Sequence, residues 1–135
     1  LNRFLKGGRV VADQRGMTLI EIMVVVAILG MMMTIITVAY VRYLDQSKVD
    51  GTKIQMANVV QALDAYKIQY GNYPTTELGL AELVTKGVMK ALPTDKWENE
   101  LEYIRHSSTS FSLKSYGADA AAGGEGFDED ILNEQ

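Results

Sequence analysis

The chain has 135 residues, a formal net charge of −4, no cysteine and a single histidine. The acidic balance argues against nucleic-acid binding, which normally shows a basic footprint, and the absence of cysteine excludes a thiol nucleophile and a disulfide-stabilised head. One histidine cannot build a multi-histidine metal centre. We therefore expect a protein that is not an enzyme and does not bind nucleic acid.

The first feature along the chain is an apolar run at residues 17–40 that contains one acid, Glu21. A helix rises about 1.5 Å per residue, so this run would extend roughly 36 Å, enough to cross a hydrocarbon layer of roughly 30 Å. The run therefore predicts a transmembrane helix.

Glu21 is an unusual residue for such a span, because a carboxylate in hydrocarbon costs about 2.5–3.5 kcal/mol on insertion scales. The nearest basic residues, Arg15 and Arg42, both lie outside the span. Glu21 must therefore reach the interface, become protonated, or meet a positive group from another chain or from a new amino terminus. The last option predicts proteolysis just before the span.

The residues before the span are basic, because Arg3, Lys6, Arg9 and Arg15 outnumber Asp13. Positive charge before a first span holds that side in the cytoplasm, so the rest of the chain is expected outside. A conventional secretory signal is cut after its apolar region, whereas a cut before the span would leave the apolar helix attached. An uncleaved signal anchor is the alternative.

The helix is expected to continue beyond the span, because no proline or glycine follows until Gly51. Gly71 suits the position just after a helix end. Between these glycines, apolar residues recur every three or four positions, which predicts a helix with one buried face. The predicted buried residues are Met56, Val59, Leu63, Tyr66 and Tyr70.

The segment after Gly71 predicts a short helix. Pro74 favours an extended residue before it, and Thr75 or Thr76 is placed to cap a helix that runs through about Val84.

Residues 101–113 predict a hairpin, because apolar and polar residues alternate on both sides of a polar stretch. His106 lies near the turn and is interpreted as a solvated loop residue rather than a ligand. The inward-facing residues of the two strands are expected to be Leu101, Tyr103, Phe111 and Leu113.

Near the end of the chain, carboxylates bracket a glycine-rich loop with the sequence SYGAD at 115–119 and GGEGFDEDI at 123–131. Acids rather than a lysine-bearing helix follow these glycines, which excludes a phosphate cradle. Calcium takes six to eight oxygens, and a glycine-rich loop can supply carboxylates and carbonyls together. The sequence thus leaves two interpretations, a calcium site that includes Asp119, Asp128 and Asp130, or a solvated acidic loop.

The segment RGMTLIE at residues 15–21 resembles the class III signal of type IV pilins and type II secretion pseudopilins. The resemblance implies that a prepilin peptidase cuts after Gly16, that Met17 becomes the N-methylated first residue, and that Glu21 meets a neighbouring subunit's amino terminus. Met17 stands where the family usually has Phe. Val38 stands where it commonly has Pro, so a kink there is not specified.

Two segments of the head resemble the major pseudopilins of type II secretion more specifically, GNYPTTELGL at 71–80 and LPTDKWENELEY at 92–103. In the second segment Lys96, Glu98 and Glu100 replace two prolines and a glycine, so the family's turn is not specified there. Trp97 is expected to remain a packing anchor.

The same family binds calcium in the loop that SYGAD opens. The resemblance implies that Asp119 and Asp130 are the leading side-chain ligands, that Asp128 is next, with Glu129 as a competitor for its role, and that the carbonyl of Tyr116 contributes. Ala120 stands where the family usually has Gly.

The expected fold is α+β and pilin-like: a long N-terminal helix, half transmembrane and half amphipathic, packs against a small head with a short helix and a small antiparallel sheet. The expected segments are a leader at residues 1–16, a transmembrane and assembly helix at 17–40, and a periplasmic head at 41–135.

The resemblance implies a structural subunit of the type II secretion pseudopilus, which polymerises through its N-terminal helix to help export folded proteins. The expected partners are other copies of the chain, a prepilin peptidase, minor pseudopilins and the inner-membrane secretion platform. We expect a single-pass inner-membrane protein before assembly, with a periplasmic head. The alternatives are a type IV pilin of a surface fibre and a monomeric, membrane-tethered calcium-binding module.

Overall fold

The computed structural model describes residues 16–135. The predicted leader lies outside the described residues, except for Gly16. The chain divides into two compact units, with the boundary between Val38 and Ala39. The first helix, α1 (Leu19–Tyr70), contributes residues to both units.

The described part of the first unit is an irregular start followed by the apolar part of α1. None of the residues in the most apolar 18-residue window of α1 is buried. Among the described residues, α1 is the one helix that is long and apolar enough to cross a membrane. Thr34 and Thr37 donate their hydroxyls to the carbonyls of Gly30 and Met33, at 3.1 and 2.9 Å. These polar side chains are therefore satisfied within the helix itself.

Helix α1 continues without a break through both Gly30 and Val38. Proline at position 38 would remove a backbone donor and clash with the preceding turn, whereas valine keeps the helical hydrogen bond. Valine at this position therefore lets α1 continue as an α-helix.

In the second unit, α1 buries one face against the head. Its buried residues are Thr52, Met56, Val59, Val60, Leu63 and Tyr66. Gly71 ends the helix as predicted, with φ of 87° and its N–H donated to the carbonyl of Lys67 at 2.7 Å. The sequence predicts that Tyr70 lies on the buried face, but Tyr70 is 42% exposed. The centroid of its ring lies 4.5 Å from that of Tyr66.

The head contains helix α2 (Ala81–Thr85) and three antiparallel strands in the order β1, β2, β3. Strands β1 (Glu102–Arg105) and β2 (Phe111–Ser115) form the predicted hairpin, with Tyr103 opposite Leu113. Strand β3 (Ile131–Glu134), which the sequence did not predict, pairs with the other edge of β2. A one-turn 3₁₀ helix, Gly126–Asp128, precedes β3.

The predicted threonine cap of the short helix is wrong. The N-cap of α2 is Leu80, and no side chain caps it. The hydroxyl oxygen of Thr75 accepts the N–H of Leu78 at 3.4 Å, and that of Thr76 accepts the N–H of Arg105 at 2.9 Å. Thr75 therefore closes a local turn and Thr76 ties that turn to β1, so neither hydroxyl caps α2.

The core lies between the buried face of α1, helix α2 and one face of the sheet. Its largest fully buried side chains are Phe111, Met56, Leu63, Leu83 and Leu113. The ring of Phe111 meets that of Tyr73 edge to face, with centroids 4.7 Å apart. Trp97, predicted to be a packing anchor, is only half-buried and lies outside this core.

Two tyrosines bring polar groups into the core with partners. The hydroxyl of Tyr73 donates to Asp64 at 2.7 Å, and that of Tyr103 donates to the carbonyl of Pro74 at 2.8 Å. Burial raises the pKa of both phenols to about 12, with the hydrogen bond to Asp64 adding to the effect at Tyr73. Both phenols therefore remain protonated donors at neutral pH.

We expect Tyr103→Phe to lower the free energy of unfolding by about 1–3 kcal/mol, because the buried carbonyl of Pro74 would lose its donor. Denaturant unfolding of the full chain in detergent measures the change. Tyr70→Phe removes the same atom from an exposed side chain and is the matched control. Equal losses in the two variants would contradict the assigned role of the Tyr103 hydroxyl.

Candidate functional site

The predicted processing and assembly residues lie at the start of α1. Gly16 and Met17 precede the helix in an irregular, exposed segment. The N–H of Thr18 donates to Glu21 Oε2 at 3.3 Å, and the N–H of Glu21 donates to Thr18 Oγ1 at 3.3 Å. This reciprocal pair is a capping box, which satisfies backbone donors that a helix start otherwise leaves free.

The capping box gives Glu21 a partner that the sequence analysis did not consider. The expected partner was a basic group, whereas the structure supplies a backbone N–H from three residues earlier. The spacing Thr-x-x-Glu before an apolar run is the sequence signal that predicts it. Thr18 therefore holds the Glu21 carboxylate at the first turn of the helix.

The second candidate site is the acidic loop between β2 and β3. Its two arms meet at Gly117, which has φ of 71° and where a Cβ would lie 3.0 Å from the carbonyl oxygens of Phe127 and Glu129. The N–H of Ala118 donates to the carbonyl of Phe127 at 3.1 Å. A Cβ at Gly124 would collide with the backbone of Asp128. Glycine is needed at both positions because backbone approaches backbone directly.

The predicted side-chain ligands have different environments in this loop. Asp119 is exposed, and its Oδ1 accepts the N–H of Ala121 at 3.1 Å. Asp128 is also exposed. Asp130 is partly buried, with Oδ2 lying 3.8 Å from Lys114 Nζ, while its Oδ1 is buried and has no hydrogen-bond partner in the described part of the chain.

The loop does not assemble a site from carboxylates alone. Across residues 16–135, no three His, Asp or Glu side chains group closely enough to hold a metal ion. The unpartnered Oδ1 of Asp130 is nevertheless a buried anionic acceptor, which normally requires a donor or a cation. Carbonyl oxygens at the meeting of the two arms add the neutral ligands that calcium accepts. The loop thus offers one buried carboxylate oxygen and nearby backbone carbonyls, which are ligand types that calcium accepts.

Two residues that are not glycine adopt the left-handed backbone conformation that glycine favours. Glu98 has φ of 68° and Ala120 has φ of 55°. Both turns therefore form despite the loss of glycine, at the cost of a left-handed backbone for a residue with a Cβ.

The family model described as "Type II secretion system (T2SS), protein G" matches residues 39–134, and the model of the prokaryotic N-terminal methylation motif matches residues 12–37. The chain belongs to the type II secretion protein G family. The methylation motif covers Gly16, Met17 and Glu21, and the protein G model covers the whole acidic loop.

Two proteins of type II secretion systems are similar to this chain along most of their own length. The type II secretion system core protein G of Pseudomonas aeruginosa is 39% identical, with 90% of this chain and 95% of that protein covered. The protein of the same name from Vibrio cholerae is 34% identical, with 89% and 91% covered. These similarities favour the secretion family over the alternative of a surface-fibre pilin.

A solved structure supports the pilin-like fold of this protein G family member. The crystal structure of the major pseudopilin from the type 2 secretion system of enterohaemorrhagic Escherichia coli matches with a TM-score of 0.56 and 25% identity. The match covers 66% of this chain and 88% of that one. The expected α+β fold, with a long N-terminal helix and a small antiparallel sheet, is confirmed.

We expect Ala120→Gly to stabilise the chain by up to about 1 kcal/mol. The left-handed conformation costs a residue with a Cβ roughly 1–2 kcal/mol, and glycine's extra backbone entropy offsets about 0.5–1 kcal/mol of that gain. Thermal unfolding in chelator measures the change. Ala122→Gly is the matched control, since Ala122 is outside the left-handed region, and a larger gain there would contradict the prediction.

Proposed function

We propose that the chain polymerises through its N-terminal helix into a pseudopilus, and that growth of this polymer helps to export folded proteins across the outer membrane. Its role as a pseudopilus subunit of type II secretion follows from its family and its fold. The observation that supports polymerisation is the apolar window of α1, in which no residue is buried. Because the family is structural, we assign the chain no enzymatic reaction.

The exposed apolar surface of α1 needs a cover in every state of the protein. Before assembly, lipid covers it, with α1 crossing the inner membrane once and the head in the periplasm. In the polymer, the helices of neighbouring copies take the place of lipid. The proposed partners are a prepilin peptidase that cuts between Gly16 and Met17, other copies of the chain, minor pseudopilins and the inner-membrane platform.

Glu21 is proposed to change partners during assembly. In the single chain its carboxylate accepts the N–H of Thr18 at 3.3 Å, a long hydrogen bond that leaves carboxylate lone pairs free. A cut after Gly16 would create a positive amine at Met17, and the carboxylate of an adjacent copy would pair with it. In a low dielectric this pair sets the register of the subunits.

We expect Glu21→Ala and Glu21→Gln both to abolish assembly while membrane insertion persists. Glutamine keeps the acceptor that a capping box needs but removes the charge, so this variant separates the cap from the ion pair. Crosslinking in membrane fractions and electron microscopy of filaments measure assembly.

Glu77→Gln makes the same chemical change at an exposed head position and should assemble as the unaltered chain does. Abundant filaments of the Glu21→Gln variant would show that the charge of Glu21 is not required. A chain that stays monomeric and keeps its leader would instead favour a static membrane anchor.

We further propose that the acidic loop holds calcium through the carboxylate of Asp130 and the carbonyl of Tyr116, and that Asp119 and Asp128 join them when the ion binds, because the three carboxylates are not grouped in the structure. The unpartnered buried oxygen of Asp130 supports this proposal. When bound, calcium would offset the mutual repulsion of the loop's carboxylates and tie the two arms together. Asp130 and Asp128 lie on the returning arm next to β3, and Asp119 lies on the arm that leaves β2.

We expect Asp119→Asn to remove most of the stabilisation that calcium provides. At a calcium concentration of 100 times the Kd, that stabilisation is about 2.7 kcal/mol. Asparagine retains an acceptor for the N–H of Ala121, so stability in chelator should change little. Thermal unfolding of the full chain with calcium and with chelator measures both.

Asp45→Asn, a substitution outside the acidic loop, is the matched control and should keep the full calcium effect. A loss of stability of the same size in calcium and in chelator would remove Asp119 from the ligand set. If calcium leaves the unaltered chain's unfolding temperature unchanged, the loop does not hold calcium.

A further inference from the structure

A buried carboxylate, Asp95, organises the turn that precedes β1. Asp95 is 4% exposed. Its Oδ1 accepts the N–H groups of Trp97 at 2.9 Å and Asn99 at 2.8 Å, and its Oδ2 accepts the hydroxyl of Ser115 at 2.8 Å. Three donors thus satisfy the charge without a basic side chain, which makes its position specific, since a buried charge tolerates few arrangements.

The hydrogen bonds continue from Asp95 into the acidic loop. The hydroxyl oxygen of Ser115, which is fully buried, accepts the N–H of Gly117 at 3.3 Å. The side-chain amide of Asn99 donates to the carbonyl of Gly117 at 3.3 Å. The side chains of Ser115 and Asn99 therefore hold both backbone polar groups of Gly117. Each of these two residues is also hydrogen-bonded to Asp95, Ser115 through its hydroxyl and Asn99 through its backbone N–H.

These bonds determine the direction of a predicted metal ligand. The peptide bond is planar, so the N–H of Gly117 and the carbonyl of Tyr116 belong to one rigid unit. The bond from this N–H to Ser115 orients the Tyr116 carbonyl, and the bond from Asn99 orients the next peptide plane. The second plane is also held by the Ala118 N–H, which donates to Phe127.

The opposite end of the turn is attached to α1. The N–H of Lys96 donates to Thr52 Oγ1 at 3.1 Å, and Thr52 is fully buried. The Lys96 stem lies over Gly51, where a Cβ would come within 3 Å of it. The turn at Asp95 is therefore held between the long helix and the acidic loop within the second unit.

We propose that Asp95, acting through Ser115 and Asn99, is the positioning group that aims the carbonyl of Tyr116 at calcium. This inference rests on the proposed calcium site and adds residues that do not themselves touch the metal. Groups that orient metal ligands commonly change metal affinity by 10–100-fold when they are removed. The turn at Asp95 is in this way an extension of the acidic loop rather than a separate element of the head.

The test uses two variants of the full chain in detergent, Ser115→Ala and Asn99→Ala, with calcium titrated after removal by chelator. We expect each to weaken calcium binding by roughly tenfold or more, measured by calorimetry, and to reduce the calcium-induced rise in unfolding temperature. Asn99 is only half-buried, so Asn99→Ala remains informative if Ser115→Ala fails to fold.

Ser112→Ala is the matched control, because Ser112 lies on the same strand and its hydroxyl contacts His106 instead of the loop. Unchanged calcium affinity in the folded variants, with equal losses of stability in calcium and chelator, would overturn the positioning role while leaving the calcium site intact. Absence of calcium binding by the unaltered chain would overturn both.

Discussion

Burial of one face of α1 is the interaction on which the head depends. A three-stranded sheet and a five-residue helix offer a single apolar layer, and a layer needs a second one to exclude water. The second half of α1 supplies it through fully buried residues such as Val59 and Leu63. Without this helix, the inward side chains of β1 and β2 would lose one wall of the core and keep only the contacts from residues such as Tyr73 and Leu83, so helix and head must fold together.

The first part of α1 has the opposite property, since its apolar side chains have no cover from the described part of the chain. An exposed apolar helix of this length is stable only in lipid or against other helices. The apolar surface of α1 can be buried either in lipid or against the helices of other copies. The same surface can therefore serve as a membrane anchor and as a polymer contact. The capping box of Thr18 and Glu21 satisfies backbone N–H groups at the start of this helix within the single chain.

The acidic loop and the turn at Asp95 solve related problems of charge. Asp95 is buried, yet three donors from the chain satisfy it. Within residues 16–135, Asp130 keeps one buried oxygen without a donor, and its other oxygen lies 3.8 Å from the amine of Lys114. The difference explains why a cation is proposed for the loop and not for the turn. The two are joined at Gly117, whose backbone groups Ser115 and Asn99 hold.

Sequence alone determined the long helix, its termination at Gly71, the hairpin and the family, because periodicity and short motifs record local backbone preference directly. Only the tertiary structure decided the exposure of Tyr70, the pairing of β3 with β2 and the use of Thr75 and Thr76. The ladder of β3 and the bond from Ser115 to Asp95 join residues far apart in the chain, so no local pattern specifies them. The Thr18–Glu21 box is present in the sequence as a Thr-x-x-Glu pattern, but the same acid also fits a charge in lipid, and the hydrogen bonds of the structure show it as a helix cap.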